Sequence, residues 1–511
     1  MPQLWIVDVA TKQSRMARIA PLPSQLQAAG SARDSLWNDA SSTLHVSWLT
    51  RGSKSAYLGE VDAATGATTT LARDTSKTYV ELNQGDPTGW YITRNGQESI
   101  WWSERDGWAH LYRLGRNGAV INQITSGPWS VGAVQHVDER SRTIWFTARG
   151  REAGRNPYYA HLYRVGYDGS GLTLVTPENA NHRVSFSPTG RWFVDAYSTI
   201  ETPTVSVLRT PDGRVVRTLE TADVTDLRAT GWRPAQTFMA KARDGVTDLY
   251  GVMYLPSTFD ASKRYPIIDN IYPGPQVGSV GSWAFKGGSE TQALAELGFV
   301  VIQLDHMGTP FRSKAFHDAY YGNFTDNGLP DHVAVIKQLA TRYPYIDAEK
   351  VGIFGHSGGG FASTDAILRY PEFFKVAVAG SGNHDNRTYN IYWAEKYQGL
   401  LTKDTLRKTD NFASSANASL AKNLQGKLLL MHGDMDDNVS PAMTLQVVDA
   451  LIKANRSFDL IIAPNRAHSL NEPYFIRRRW DYFVEHLMGA KPPHDYEITR
   501  PLTGAGAEET P

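Results

Sequence analysis

A serine, a carboxylate and a histidine occur in this 511-residue chain in an order that suits acyl transfer. Gly355-His356-Ser357-Gly358-Gly359 fits the pattern G-x-S-x-G. An apolar run at 351–354 precedes it and a segment rich in small residues follows, so the local reading is strand, sharp turn, helix. Glycines there permit a turn too tight for side chains and leave the Ser357 hydroxyl exposed at its tip. A serine needs a base to take its proton, and the base needs an acid to orient it. In a strand-turn-helix setting these partners are expected later in the chain, on loops after further strands. The apolar run 428–432 leads into Gly433-Asp434-Met435-Asp436-Asp437-Asn438-Val439, and the run 460–463 leads into Pro464-Asn465-Arg466-Ala467-His468. His468 is the expected general base. Asp436 is the expected orienting acid, with Asp434 and Asp437 as alternatives.

The acidic loop also resembles the start of a calcium-binding loop, Asp434-x-Asp436-x-Asn438. Val439 stands where the turn glycine belongs and Leu445 where the bidentate glutamate would be, so no metal is expected. A tetrahedral intermediate needs hydrogen-bond donors for its oxyanion, worth about 3 kcal/mol each. The backbone N–H of Gly358 is one candidate. The phenol of Tyr272, in Tyr272-Pro273-Gly274-Pro275 after the apolar run 266–272, is the other; its alternative role is to cap that strand.

These residues require a scaffold that brings several strand ends together. Between residues 231 and 490, apolar runs at 266–272, 299–304, 351–354, 376–379, 428–432 and 460–463 alternate with helical stretches at 290–297, 331–341, 360–370 and 442–453. A further helix is expected at 474–488. This alternation predicts a doubly wound, mostly parallel sheet with helices between its strands. A link at 230–248 precedes it, and residues 491–511, polar and punctuated by proline and glycine, read as a mobile tail.

Residues 1–230 follow another rhythm. Strands ending near Val7, Val61, Leu114, Val165 and Leu208 recur at steps of 54, 53, 51 and 43 residues. Most have an apolar partner strand upstream, at 43–49, 99–103, 143–147 and 191–196, and turns such as Asn117-Gly118, Asp168-Gly169 and Asp212-Gly213 punctuate them. Several strands per unit at this period predict a partial β-propeller of about four to five blades, the alternative being an antiparallel sandwich. Complete propellers close a ring, so the expectation is that the chain begins part-way through a larger propeller or that another chain completes it.

Composition narrows the function classes. Hydrophobic residues make up 41% and the formal net charge is zero, so nothing electrostatic favours nucleic acid or an anionic membrane as partner. No cysteine is present, which excludes a cysteine nucleophile and zinc-thiolate chemistry. No cofactor is expected. Neither a signal peptide nor a membrane span is visible, so the chain reads as soluble; its compartment is cytoplasmic, or periplasmic or extracellular should an N-terminal part be missing.

Taken together, Tyr272-Pro-Gly-Pro, Asp305-His-Met-Gly-Thr-Pro310, Gly-His-Ser357-Gly-Gly and His432-Gly-x-x-Asp436-Asp437-Asn438-Val439 resemble the prolyl oligopeptidase family of serine peptidases, specifically its dipeptidyl peptidase IV branch. Upstream, Trp101-Trp102-Ser103-Glu104-Arg105-Asp106-Gly107-Trp108 resembles a propeller segment of that branch. The resemblance implies an α/β-hydrolase domain capped by a β-propeller, with Ser357, Asp436 and His468 as triad and Tyr272 as oxyanion donor. It also implies a substrate contact at Asn438 and an aromatic wall for a proline ring at Tyr389 and Trp393, where Trp393 replaces a tyrosine. The activity implied is release of X-Pro or X-Ala dipeptides from peptide N-termini, and a homodimer is compatible with it. Two departures are visible: the branch's ammonium-binding glutamate pair lies upstream of the segment matching residues 4–8, and Met307 stands where arginine is usual. The rival readings are an acyl esterase or endo-acting oligopeptidase, and a propeller binding module with an idle hydrolase domain.

Overall fold

The computed structural model describes residues 2–27, 36–38, 40–82, 89–407 and 409–498. The greater part of the expected tail, 499–511, lies outside the described residues.

The N-terminal part holds four antiparallel four-stranded sheets in succession, preceded by a hairpin of Trp5–Val7 and Ser14–Met16. Each sheet takes its strands in chain order, as in Ser130–Asp138, Thr143–Arg149, His161–Gly166 and Thr173–Leu174. Apolar clusters between consecutive sheets hold them face to face. Leu58 and Leu71 pack with Trp101 and Leu114, and Trp102 and Leu111 pack with Phe146 and Tyr163. This is blade-on-blade packing, the architecture expected of a β-propeller.

The second part is an eight-stranded sheet. Numbered in chain order, its strands are β1 (Gln236–Lys241), β2 (Asp248–Tyr254), β3 (Tyr265–Asn270), β4 (Val300–Asp305), β5 (Ile346–His356), β6 (Phe374–Gly380), β7 (Lys427–Gly433) and β8 (Asp459–Ala463). Their spatial order is 1-2-4-3-5-6-7-8. β1, β2 and β4 pair antiparallel, and every pairing from β4–β3 onward is parallel. Helices cover both faces. Leu329–Arg342, Gly358–Arg369 and Pro441–Lys453 bury Ile336, Ile367 and Val447 in one core, while Glu290–Glu296 and Pro473–Phe483 bury Leu294 and Phe483 in the other.

One local reading changes. The segment expected as a link at 230–248 contains β1 and the start of β2. Residues of β1 alternate between exposed and buried, as an edge strand covered on one face must, and so lack the continuous apolar run that marks the interior strands.

The two parts meet along a polar seam with an aromatic plug. Glu81 pairs with Lys396 at 2.9 Å, Arg51 with Glu395 at 2.7 Å, and Thr78 donates to Asp318 at 2.6 Å. Buried Tyr79 of the propeller part packs edge-on against Tyr397 and His317.

Candidate active site

Parallel strands bring their carboxyl ends to one edge, and the loops leaving β3, β5, β7 and β8 carry the candidate residues there. Ser357 sits between the end of β5 and the helix Gly358–Arg369, with φ of 57° and ψ of −120°. A non-glycine residue in that region costs about 1–3 kcal/mol and persists only where its surroundings impose it. They do so here. A Cβ on Gly355 would lie 2.4 Å from the carbonyl oxygen of Ile271, and one on Gly359 would lie 2.3 Å from the same atom. The glycines of G-x-S-x-G are thus required by close approach to the chain leaving β3, and the Ser357 N–H is fixed to the carbonyl of Gly380 at 2.8 Å.

The loops after β7 and β8 are stitched to each other. Asp434 N–H donates to the carbonyl of Ala463 and Met435 N–H to that of Arg466. Gly433 makes this approach feasible, since a Cβ there would meet the carbonyls of Arg466 and Ala467 at 2.3 Å. The seam brings His468 Nδ1 to 2.7 Å from Asp436 Oδ2. Of the three aspartates of the loop, Asp436 is the buried one; Asp434 and Asp437 are exposed. The carbonyl of His468 accepts from Ser381 Oγ at 3.1 Å, and its ring lies 4.8 Å from that of His356, the residue before Ser357. The imidazole therefore stands beside the Ser357 turn.

Asp436 is held ionised. Burial raises its pKa, but hydrogen bonds from His432, His468 and the backbone N–H of Val439 outweigh this and hold it well below the usual carboxylate range. Its Oδ1 accepts from the N–H groups of Asn438 and Val439 at 3.0 and 2.8 Å. Fully buried His432 lies 3.2 Å from Oδ2 through Nε2, which also reaches the carbonyl of Val439 at 2.9 Å. Since a carbonyl only accepts, Nε2 of His432 carries the hydrogen and Nδ1 accepts from Thr444 Oγ1 at 2.7 Å. His432 belonged to the recognised motif without a role; its function depends on a fold of the loop back onto β7 that residue spacing does not display.

Tyr272 follows β3, and its hydroxyl lies against the start of the helix after Ser357. A Cβ on Gly358 would be 3.6 Å from the phenol oxygen. Burial and the nearby Tyr389 raise the phenol's pKa to about 12, while hydrogen bonding with Ser357 and with Gln276 opposes the rise. The two candidate oxyanion donors, the Tyr272 phenol and the Gly358 N–H, thus adjoin each other. Its loop is anchored from behind: Tyr320 OH donates to the carbonyl of Pro273 at 2.7 Å and His317 Nε2 to that of Pro275 at 2.6 Å.

The expected substrate contacts also converge. Tyr389 OH donates to Asn438 Oδ1 at 3.1 Å, and its ring meets Trp393 edge-on at 5.6 Å. Trp393 stacks on Phe324 at 5.1 Å and touches Tyr397 at 5.5 Å, so the aromatic surface extends beyond the two residues expected. Met307 packs, partly buried, against the core that holds Ile336 and Ile367, and its N–H donates to Asp331 at 3.0 Å. No helix among the described residues is long and apolar enough to cross a membrane.

Two family models match this chain. One, described as the prolyl oligopeptidase family, matches residues 283–490; the other, the N-terminal region of dipeptidyl peptidase IV, matches residues 2–204. The chain belongs to the prolyl oligopeptidase family, in its dipeptidyl peptidase IV branch. Within the family, it is 31% identical over 372 residues to dipeptidyl peptidase 8 of Homo sapiens, covering 68% of this chain and 40% of that protein. It is 27% identical over 353 residues to dipeptidyl peptidase 4 of Trichophyton equinum, covering 66% of this chain and 43% of the relative. The chain thus spans less than half the length of these relatives. The fold matches that of Porphyromonas gingivalis dipeptidyl peptidase 4 with a TM-score of 0.81 at 24% identity, over 95% of this chain and 67% of that one.

Proposed function

We propose that this chain carries out the serine chemistry of a dipeptidyl exopeptidase, releasing X-Pro or X-Ala dipeptides from free peptide N-termini. The observation that carries the reading is the His468–Asp436 contact beside a strained Ser357, in a chain of the dipeptidyl peptidase IV branch. Residues 1–230 act as the propeller part, 231–490 as the catalytic domain and 491–511 as a tail.

In this mechanism the neutral imidazole of His468 keeps its hydrogen on Nδ1, toward Asp436, and its Nε2 lone pair takes the proton of Ser357 Oγ. Oγ attacks the carbonyl carbon of the second residue of the peptide. The oxyanion that develops accepts from Tyr272 OH and Gly358 N–H. The carbon–nitrogen bond then breaks, and the proton passes from His468 to the leaving amine. Water, deprotonated by the same imidazole, releases the dipeptide from Ser357. Tyr389, Trp393 and Asn438 bound the pocket for the residue at the cleavage point; a flat proline ring fills an aromatic pocket with little loss of rotamer freedom.

The test compares Gly-Pro-p-nitroanilide with its N-acylated form on the purified chain. Preference for the free amine by at least tenfold is expected. Equal rates would overturn exopeptidase specificity in favour of an endo-acting enzyme.

A further inference from the structure

Gln276, four residues after Tyr272, makes two hydrogen bonds that nothing in its sequence position foretells. Its Nε2 lies 2.8 Å from Tyr272 OH and its Oε1 lies 3.0 Å from Trp393 Nε1. The chemistry of the partners fixes its orientation. An indole N–H can only donate, so the amide oxygen must face Trp393 and the amide NH2 must face the phenol. The Tyr272 oxygen then receives a hydrogen from Gln276, which leaves the phenol's own hydrogen free for the side where Ser357 lies.

We infer that Gln276 is the positioning residue of the oxyanion donor, and that Trp393 sets the direction of its amide. This rests on the peptidase reading above. Without the amide, the Tyr272 hydroxyl would rotate freely among acceptors, and its hydrogen would not be reserved for the developing oxyanion. Without the indole N–H, the amide could flip and present its oxygen to the phenol, which would then donate to Gln276 instead. Trp393 is itself held by its stack on Phe324 and its edge contact with Tyr397, so the chain of orientation runs from the aromatic pocket to the reacting carbonyl.

A double-mutant cycle tests this, because a residue that acts only through Tyr272 OH has nothing to lose once that hydroxyl is gone. Tyr272→Phe is expected to lower kcat by about 100-fold and Gln276→Leu by about 10-fold or more, with KM nearly unchanged. The double variant should turn over no more slowly than Tyr272→Phe alone. Gln276→Glu, whose carboxylate accepts the phenol hydrogen, should lose as much as Tyr272→Phe. Trp393→Phe keeps the stack and removes the donor; its KM reports the pocket it bounds, while its kcat should fall several-fold in the parent and no further in the Tyr272→Phe background. Multiplicative losses in the double variants, or full activity in Gln276→Glu, would overturn the inference.

Each variant is measured on Gly-Pro-p-nitroanilide and on p-nitrophenyl acetate, with folding checked by circular dichroism. Turnover of the ester alone by the unmodified chain would remove the dipeptide specificity and leave the cycle readable. Turnover of neither would overturn both readings.

Discussion

His468 Nδ1 lies 2.7 Å from Asp436 Oδ2, and Asp436 is fixed in turn by two backbone N–H groups and by His432. A carboxylate so placed can only accept, so it selects the imidazole tautomer that leaves Nε2 free. Asp436→Asn offers an amide that can donate to Nδ1 and stabilise the wrong tautomer. The expected loss in kcat is on the order of 10³- to 10⁴-fold, with helix content unchanged. Steady-state kinetics and circular dichroism check this together. A loss below tenfold would mean that another acid orients the base.

The turn that exposes Ser357 depends on missing side chains. Gly355→Ala would push a methyl group to 2.4 Å from the Ile271 carbonyl, and neither backbone has room to yield. A cost of about 3 kcal/mol or more is expected, read as a fall in the urea midpoint. Ser357→Ala, which relieves nothing of the turn and removes only the hydroxyl, should leave the unfolding free energy within about 0.5 kcal/mol of the parent.

Buried histidines set the acid limit. Burial lowers the pKa of His384 and of His356 from 6.5 to about 3. The unfolded chain therefore binds more protons than the native one between these values, so stability is fully present above pH 6.5 and falls as pH drops toward 3. His384→Asn should flatten the decline in unfolding free energy between pH 6 and pH 4. An unchanged slope would show that His384 does not titrate on unfolding.

Glu104 has the opposite sign. Burial at the seam between the two parts raises its pKa to about 7, against the pull of Lys314 and with the push of Glu81 and Asp318. The native state holds the proton more tightly than the unfolded state, so its contribution is present below pH 4.5 and lost as pH rises through 7. Glu104→Gln should raise the melting temperature relative to the parent at pH 8 and change it little at pH 4.5. Thermal scans at the two values decide this.

Much of this architecture was legible before any coordinates. The interior strands of each blade, such as 43–49 and 143–147, carry buried apolar residues, whereas Val215–Thr221 is exposed along its whole length and gave no signal. The same difference hid β1 behind an expected link. In the site, Ser357, Asp436 and His468 each follow an apolar strand, so their order was readable. The contributions of Gln276, His432 and Tyr79 were not, because each depends on a distance between segments that are far apart in the chain or on a loop folding back. Phe324 escaped for the same reason: it meets Trp393 only through packing across 69 residues.

The central claim is that Ser357 is the nucleophile, and covalent capture tests it most directly. The unmodified chain and Ser357→Ala are each treated with a fluorophosphonate, and the adduct is located by peptide mass spectrometry. The account predicts one phosphonylated peptide containing Ser357, blocked by prior incubation with a Gly-Pro substrate, and no adduct in Ser357→Ala. Labelling of Ser357→Ala at the parent's rate, or an adduct on another serine, would contradict it.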